Sequence, residues 1–176
     1  ACASRPDRCT NRQMQRGLKK RLKVKLCDDK DKGWGVFTAE HINPGEFVVE
    51  YVGELISEEE ADRRAKRCPD ASFYFFDLPS GRSGNGKNKY VIDAYAIRNI
   101  AAFINFGCNE KVNLEVRKIA SPSGDSRLPR VGFFAKEAIP AGAELLYQRD
   151  RAATSLRRRN MSIPCKCGAA KCAGFV

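Results

Sequence analysis

Ile163-Pro-Cys-Lys-Cys-Gly-Ala-Ala-Lys-Cys-Ala-Gly-Phe-Val176 ends the chain with three cysteines spaced Cys-x-Cys-x4-Cys, at Cys165, Cys167 and Cys172. Thiolates this close, separated by small residues, can wrap one tetrahedral Zn²⁺, because glycine and alanine let the backbone fold around the ion. Three ligands leave one corner open, and a structural zinc site is closed by four. Another part of the chain must therefore come to this tail.

The rest of the composition says in which kind of molecule that happens. With 176 residues the chain is long enough for one domain with a substantial core. Its 43% hydrophobic and 30% charged residues are those of a globular protein. No apolar run approaches the roughly 20 residues of a membrane-spanning helix, so no membrane partner is expected. The N-terminus lacks the apolar core of a signal peptide, and opening at Ala1-Cys2 rather than at methionine is expected of an excerpt from a longer protein. The net charge of +11 is concentrated at Arg16-Gly-Leu-Lys-Lys-Arg-Leu-Lys-Val-Lys25 and Arg157-Arg158-Arg159. Such runs are either a solvated basic surface or an attraction for polyanions such as nucleic acid or the nucleosome, and Arg157–Arg159 also has the form of a nuclear address. Of the eight cysteines, Cys27, Cys68 and Cys108 stand alone, which favours metal ligation in a reducing compartment over a disulfide framework. Cys2 and Cys9 read either as the last ligands of a second zinc cluster completed upstream or as a disulfide.

Periodicity along the chain is mostly that of short strands. Leu22-Lys-Val-Lys-Leu26 alternates apolar and basic, as a strand with one wet face; Gly33-Trp-Gly-Val-Phe37 starts a second, and Phe47-Val-Val-Glu-Tyr-Val52 a third. Ser57-Glu-Glu-Glu60 is a capping box that opens a helix to about residue 67. Strands are expected over 73–78, 90–93, 113–119, 131–135 and 144–147. Loops or turns are expected over 79–88 and 121–125, one helical turn within 99–106, and a linker over 150–164. Many short strands and one helix make a mainly β, α+β domain.

Four ordered landmarks then carry a resemblance. Gly33-Trp-Gly35, Glu50-Tyr-Val-Gly-Glu54, residues 99–108 and the cysteine tail together resemble a SET domain, the catalytic domain of S-adenosylmethionine-dependent protein lysine methyltransferases. Arg127-Leu-Pro-Arg-Val-Gly-Phe-Phe-Ala135 is most similar to the histone H3 lysine-9 enzymes. The resemblance implies several small curved sheets with one main helix and a zinc-bound C-terminal tail, the C-terminal segment tucked under a passing loop. It implies an end of a pre-SET lead-in at 1–17, the SET domain at 18–150, and a linker with a post-SET zinc segment at 151–176. It supplies Cys108 of Asn105-Phe-Gly-Cys108 as the fourth ligand beside Cys165, Cys167 and Cys172 on one Zn²⁺, clamping the tail over the active site. A nuclear, chromatin-bound protein acting on a histone tail peptide is the implied setting.

The resemblance also distributes roles. Lys32, Gly33, Trp34, Gly35, Tyr74, Asn105 and Phe106 fall at cofactor positions, glycine allowing a ligand close approach to the main chain. Tyr51 and Phe76 fall on the walls of the lysine channel, where aromatic faces hold an amine. Tyr147 falls where the family sets the number of methyl groups added, which implies mono- or dimethylation. The departures cluster on the same site. Ala102 stands for a common arginine, Phe106 for histidine, Gln148 for aspartate, and Arg149, at the channel, for the catalytic tyrosine. A guanidinium offers no acceptor and is always charged, so turnover should be badly impaired unless another hydroxyl substitutes, Tyr51 and Tyr147 being the catalytic candidates. Two functions follow: an active, divergent histone lysine methyltransferase, or a degenerate SET domain that binds chromatin or partners without turnover. Retained Gly33-Trp-Gly35, aromatic channel and four cysteines favour the first; Phe106 and Arg149 favour the second.

Overall fold

The computed structural model describes residues 13–78, 90–119, 128–149, 164–172 and 174–175. Cys2, Cys9, Arg157–Arg159, the expected loop at 79–88, the turn at 121–125 and nearly all of the 150–164 linker lie outside them. The strands are β1 Leu22–Leu26, β2 Trp34–Thr38, β3 Phe47–Tyr51, β4 Glu54–Ser57, β5 Phe75–Asp77, β6 Tyr90–Asp93, β7 Asn105–Phe106, β8 Leu114–Ile119, β9 Arg130–Ala135 and β10 Leu146–Tyr147; the α-helix is α1, Glu58–Arg67. They form a β1-β2 hairpin sheet, a five-stranded sheet in the order β3-β9-β8-β10-β7, and a three-stranded sheet in the order β4-β6-β5. The mainly β expectation is met.

α1 starts where the capping box places it: the Ser57 hydroxyl accepts from the Glu60 amide at 3.2 Å, and acids fill the first turn while Arg64, Lys66 and Arg67 fill the last. Both charge placements suit the helix dipole. Ala61 and Ala65 face Ile56, Ala71, Phe75 and Val91, so the helix buries a small-residue stripe on the three-stranded sheet. Arg64 fastens it there, donating to Glu54, Glu60 and the buried Asp93.

Three expectations need correction. Residues 73–78 are not one strand: Pro69–Tyr74 is a 3-10 helix and only Phe75–Asp77 pairs with β6. Pro69 presets helical φ, and the Ala71 amide already bonds the Cys68 carbonyl. Glu54–Ser57 is a strand before α1, paired with Tyr90–Asp93, too short to show its period. And β1 is wet on both faces, with only Leu22 partly covered; it pairs with β2 alone.

The main core joins Val36, Val48, Phe133, Leu145 and Ile139 with their neighbours. β10 is inserted, parallel, between β7 and β8: Leu146 pairs with Asn105, and Tyr147 with Phe106 and Leu114. Asn113 locks this insertion with both ends of its amide, donating to the Glu144 carbonyl at 2.8 Å and accepting from the Leu146 amide at 2.9 Å. The segment between β7 and β8 thus passes across β10, as the expected tucked C-terminal segment requires. Among the described residues no helix is long and apolar enough to cross a membrane.

Candidate functional site

The insertion of β10 brings four sulfurs to one point. Cys108 follows β7 on a turn whose Gly107 amide bonds the Tyr147 carbonyl at 2.9 Å, and the tail delivers Cys165, Cys167 and Cys172. All four Sγ atoms lie within 4.8 Å of one another. Cys108–Cys165 and Cys167–Cys172 are 3.6 Å apart and Cys172–Cys108 4.0 Å. Zn–S bonds of about 2.3 Å in a tetrahedron put sulfurs ~3.8 Å apart, whereas a disulfide needs ~2.05 Å. The spacing fits one Zn²⁺ on four thiolates, with Cys108 as the fourth ligand. The tail is also pinned without metal: the Lys166 ammonium donates to the Asp31 carbonyl at 2.8 Å and the Ala170 amide to Glu110 at 3.1 Å.

Beside the sulfurs opens a cleft of about 390 Å³ lined by Asp31, Lys32, Phe73, Asn105, Phe106, Pro164, Cys165 and Lys166, within the usual ligand-site range. The cysteine tail forms one wall of it. Its floor is a polar knot. Asn105 Nδ2 donates to the Trp34 carbonyl at 3.1 Å and to Glu144 Oε1 at 3.0 Å; Lys32 pairs with the other Glu144 oxygen; and Cys27 points its thiol at Glu144, 3.5 Å away. Burial and then Glu144 push the Cys27 thiol up, so it stays protonated. Gly35 is needed here by crowding: a Cβ would stand 2.7 Å from Cys27 Sγ and 2.9 Å from Glu144 Oε1. Gly33 is needed by conformation, with φ of +71°. Trp34 is 57% exposed, so its ring is not spent in the core.

Of the expected cofactor residues, Lys32, Asn105 and Phe106 line the cleft; Gly33, Trp34 and Gly35 do not, and of these Trp34 bonds Asn105 through its carbonyl while Gly35 packs against it. Tyr74 does not line it: its ring packs on Tyr95 and under Arg98, and its neighbour Phe73 lines the cleft instead. Cys27, Glu144 and Asn113 were not assigned roles in the sequence; Glu144 had a signal, as the glutamate opening Glu144-Leu-Leu-Tyr147.

Behind Phe106 lies an aromatic cluster. Tyr51 packs on Phe76 and Phe133, and Tyr147 on Phe133 and Phe106, with ring centroids 4.8–6.2 Å apart. The Tyr51 hydroxyl donates to the Tyr74 carbonyl at 2.6 Å. Burial pushes the Tyr147 phenol up to about 12, with the Arg149 guanidinium pulling the other way. Burial pushes Tyr51 up as well, aided by Tyr147 and opposed by Arg149. Both phenols are therefore neutral donors at ordinary pH. Arg149 is buried beside them, over the Phe106 ring at 4.9 Å.

With cleft, thiolate cluster and aromatic cluster in place, the comparison with known proteins is direct. The SET-domain family profile matches residues 33–148. This chain belongs to the SET-domain family. The SET domain is 34% identical over 186 residues to histone-lysine N-methyltransferase SUV39H2 of Xenopus tropicalis, covering 99% of this chain and 44% of that protein. It spans less than half the length of that relative. Among solved structures it is similar to Arabidopsis thaliana SUVH6 in complex with SAM (TM-score 0.74, 32% identity, 92% of this chain and 34% of that one). It is also similar to KRYPTONITE in complex with mCHG DNA and SAH (TM-score 0.72, 31% identity, 95% and 31%). Within the SET domain, the departures at Phe106 and Arg149 are in contact with each other, between cleft and aromatic cluster.

Proposed function

We propose that this SET domain binds S-adenosylmethionine in the 390 Å³ cleft and is the methyl-transfer domain of a histone-lysine N-methyltransferase, acting on a lysine of the histone H3 tail, with lysine 9 the favoured position. The observation that carries this is the junction at Phe106, where a cleft lined by Lys32 and Asn105 meets an aromatic cluster of Tyr51, Phe76 and Tyr147. When bound, the cofactor supplies an electrophilic methyl group on a sulfonium. The chain's residues do the positioning. Asn105 and Lys32, held by Glu144, set the floor of the cleft. The aromatic faces take an amine chain out of water, which lowers its pKa toward the neutral, nucleophilic form. Tyr51 and Tyr147, kept protonated, serve as hydrogen-bond donors and not as bases. Tyr147 supports mono- or dimethylation as the outcome. The four cysteines hold Zn²⁺, which keeps the tail as a wall of the cleft.

That the relatives are histone-lysine N-methyltransferases supports the same setting, chromatin in the nucleus. The DNA in the KRYPTONITE complex, together with the basic run at 16–25, supports nucleic acid or the nucleosome as a further partner. The domain limits proposed are 1–17 for the lead-in, 18–150 for the SET domain and 151–176 for the linker and zinc segment, with Cys2 and Cys9 in a second zinc site.

A second reading, a SET domain that binds partners without turnover, is favoured by the burial of Arg149 where a catalytic hydroxyl is expected. Calorimetry with S-adenosylmethionine and S-adenosylhomocysteine, followed by methyl transfer to a histone H3 peptide, separates the two. Binding that Asn105→Ala weakens about tenfold, as for one lost buried hydrogen bond, with measurable transfer, supports the enzyme. Binding without transfer, or no binding at all, overturns the enzyme reading and selects the second.

A further inference from the structure

Arg149 is 6% exposed and lies at the junction of the cleft and the aromatic cluster. Its guanidinium donates to three main-chain oxygens at the end of the Pro69–Tyr74 helix and just beyond: Ser72 and Phe73 at 3.3 Å and Phe75 at 2.8 Å. The next carbonyl in that run, Tyr74, is taken by the Tyr51 hydroxyl. The Phe106 ring covers the guanidinium at 4.9 Å. No carboxylate among the described residues forms an ion pair with it. A buried cation without a counter-ion is costly unless dipoles and π-faces replace its water, and here convergent carbonyls, at the negative end of a helical turn, and an aromatic face do so. These groups do not require an arginine in particular. They form a receptor for an organic cation with N–H donors.

We propose that this receptor is the chain's own amine-binding site and that Arg149 is its resident ligand, so that Arg149 and an incoming alkylammonium compete for the same carbonyls. The inference rests on the proposed function for the identity of the excluded group, a substrate lysine; the receptor and its occupant are features of the fold. Two cations cannot share the three oxygens, and a guanidinium tethered through β10 is present at an effective concentration no peptide matches. The SET domain is thereby self-occupied, and methyl transfer requires Arg149 to leave.

Truncation tests this. Arg149→Ala opens the receptor, whereas Arg149→Met fills its volume without charge. Thermal denaturation is followed in methylguanidinium or n-butylammonium chloride against sodium chloride at equal ionic strength. The expected result is that Arg149→Ala gains about 3–5 °C at a tenfold excess over the cation's Kd, while Arg149→Met and the wild type gain nothing beyond the sodium control. An Arg149→Ala protein indifferent to both cations, or a wild type that responds equally, overturns the proposal. Should Arg149→Ala fail to fold, ¹⁵N spectra of the wild-type guanidinium decide. The expectation is protons shielded by the Phe106 ring and slow to exchange; exchange as fast as in an exposed arginine overturns it. Calorimetry with S-adenosylhomocysteine on the same wild-type sample keeps the inferences apart: loss of cofactor binding refutes the proposed function and leaves the cation result standing.

Discussion

Gly35→Ala is the substitution whose effect the structure sizes most directly. The added Cβ would lie 2.7 Å from Cys27 Sγ, 2.9 Å from Glu144 Oε1 and 3.1 Å from Asn105 Nδ2, against 3.4–4 Å for ordinary contact. All three atoms belong to the knot under the cleft, and none can retreat freely. Asn105 is held by Trp34 and Glu144, Glu144 by Lys32, and Cys27 is buried. Overpacking of this kind costs about 1–3 kcal/mol, and a lengthened Asn105–Glu144 hydrogen bond adds about 1 kcal/mol. Replacing glycine in a strand returns roughly 0.5–1 kcal/mol of unfolded-chain entropy. The net loss is about 2 kcal/mol, or ~4–8 °C in the denaturation midpoint at this chain length. Cys27→Ala removes the nearest obstacle, so in the Gly35→Ala background it should recover part of the loss, a non-additivity of about 0.5–1.5 kcal/mol. Gly33→Ala is the control: nothing lies within 4 Å of its Cβ and only its φ of +71° is offended, so its ~1–2 kcal/mol cost should be untouched by Cys27→Ala. Differential scanning calorimetry of the six proteins, wild type, the three single variants and the two doubles with Cys27→Ala, gives both cycles. A Gly35→Ala midpoint within 1 °C of wild type, or strict additivity with Cys27→Ala, would refute the crowding argument.

The remaining predictions concern metal and pH. Purified protein should hold about one zinc per chain at the Cys108 cluster by metal analysis, and Cys108→Ser should lower that content and speed proteolysis within 164–175; unchanged cleavage counts against the clamp. For pH, folded Tyr147 titrates at about 12 against an ordinary 10.0. Its contribution is intact below pH 10 and is lost as pH rises toward 12, where the unfolded chain gives up a proton the folded chain keeps. Stability should fall there by roughly 1.4 kcal/mol per pH unit, and Tyr147→Phe should flatten the slope. An equal slope in both proteins would place the titration elsewhere.

How much of this was legible without coordinates varied with the range of the interaction. The α1 cap was readable because Ser57 and Glu60 are three residues apart and their bond is local. The strands at 47–51, 90–93 and 130–135 were readable from dense apolar runs. The break of 73–78 into a 3-10 helix and a short strand was not. Phe73 and Tyr74 have strand propensity, and Pro69 and the pairing available beside β6 override it. Resemblance placed Tyr74 at the cleft, which Phe73 lines instead.

The three tail cysteines announced a metal site, and resemblance supplied Cys108, since spacing along a chain records only ligands that are neighbours in sequence. Resemblance likewise implied a cofactor site at Gly33-Trp-Gly35 and trouble at Arg149. What that trouble consists of belongs to the folded chain alone. Nothing within the Gln148-Arg149 segment says that its guanidinium meets the carbonyls of Ser72, Phe73 and Phe75, more than seventy positions away. Nor does the sequence show that Glu144 gathers Lys32, Asn105 and Cys27 into one knot. Local patterns carry propensity and caps because those energies act within a few residues. Burial, charge compensation and convergence depend on which distant segments are brought together, and here the insertion of β10 between β7 and β8 makes that choice.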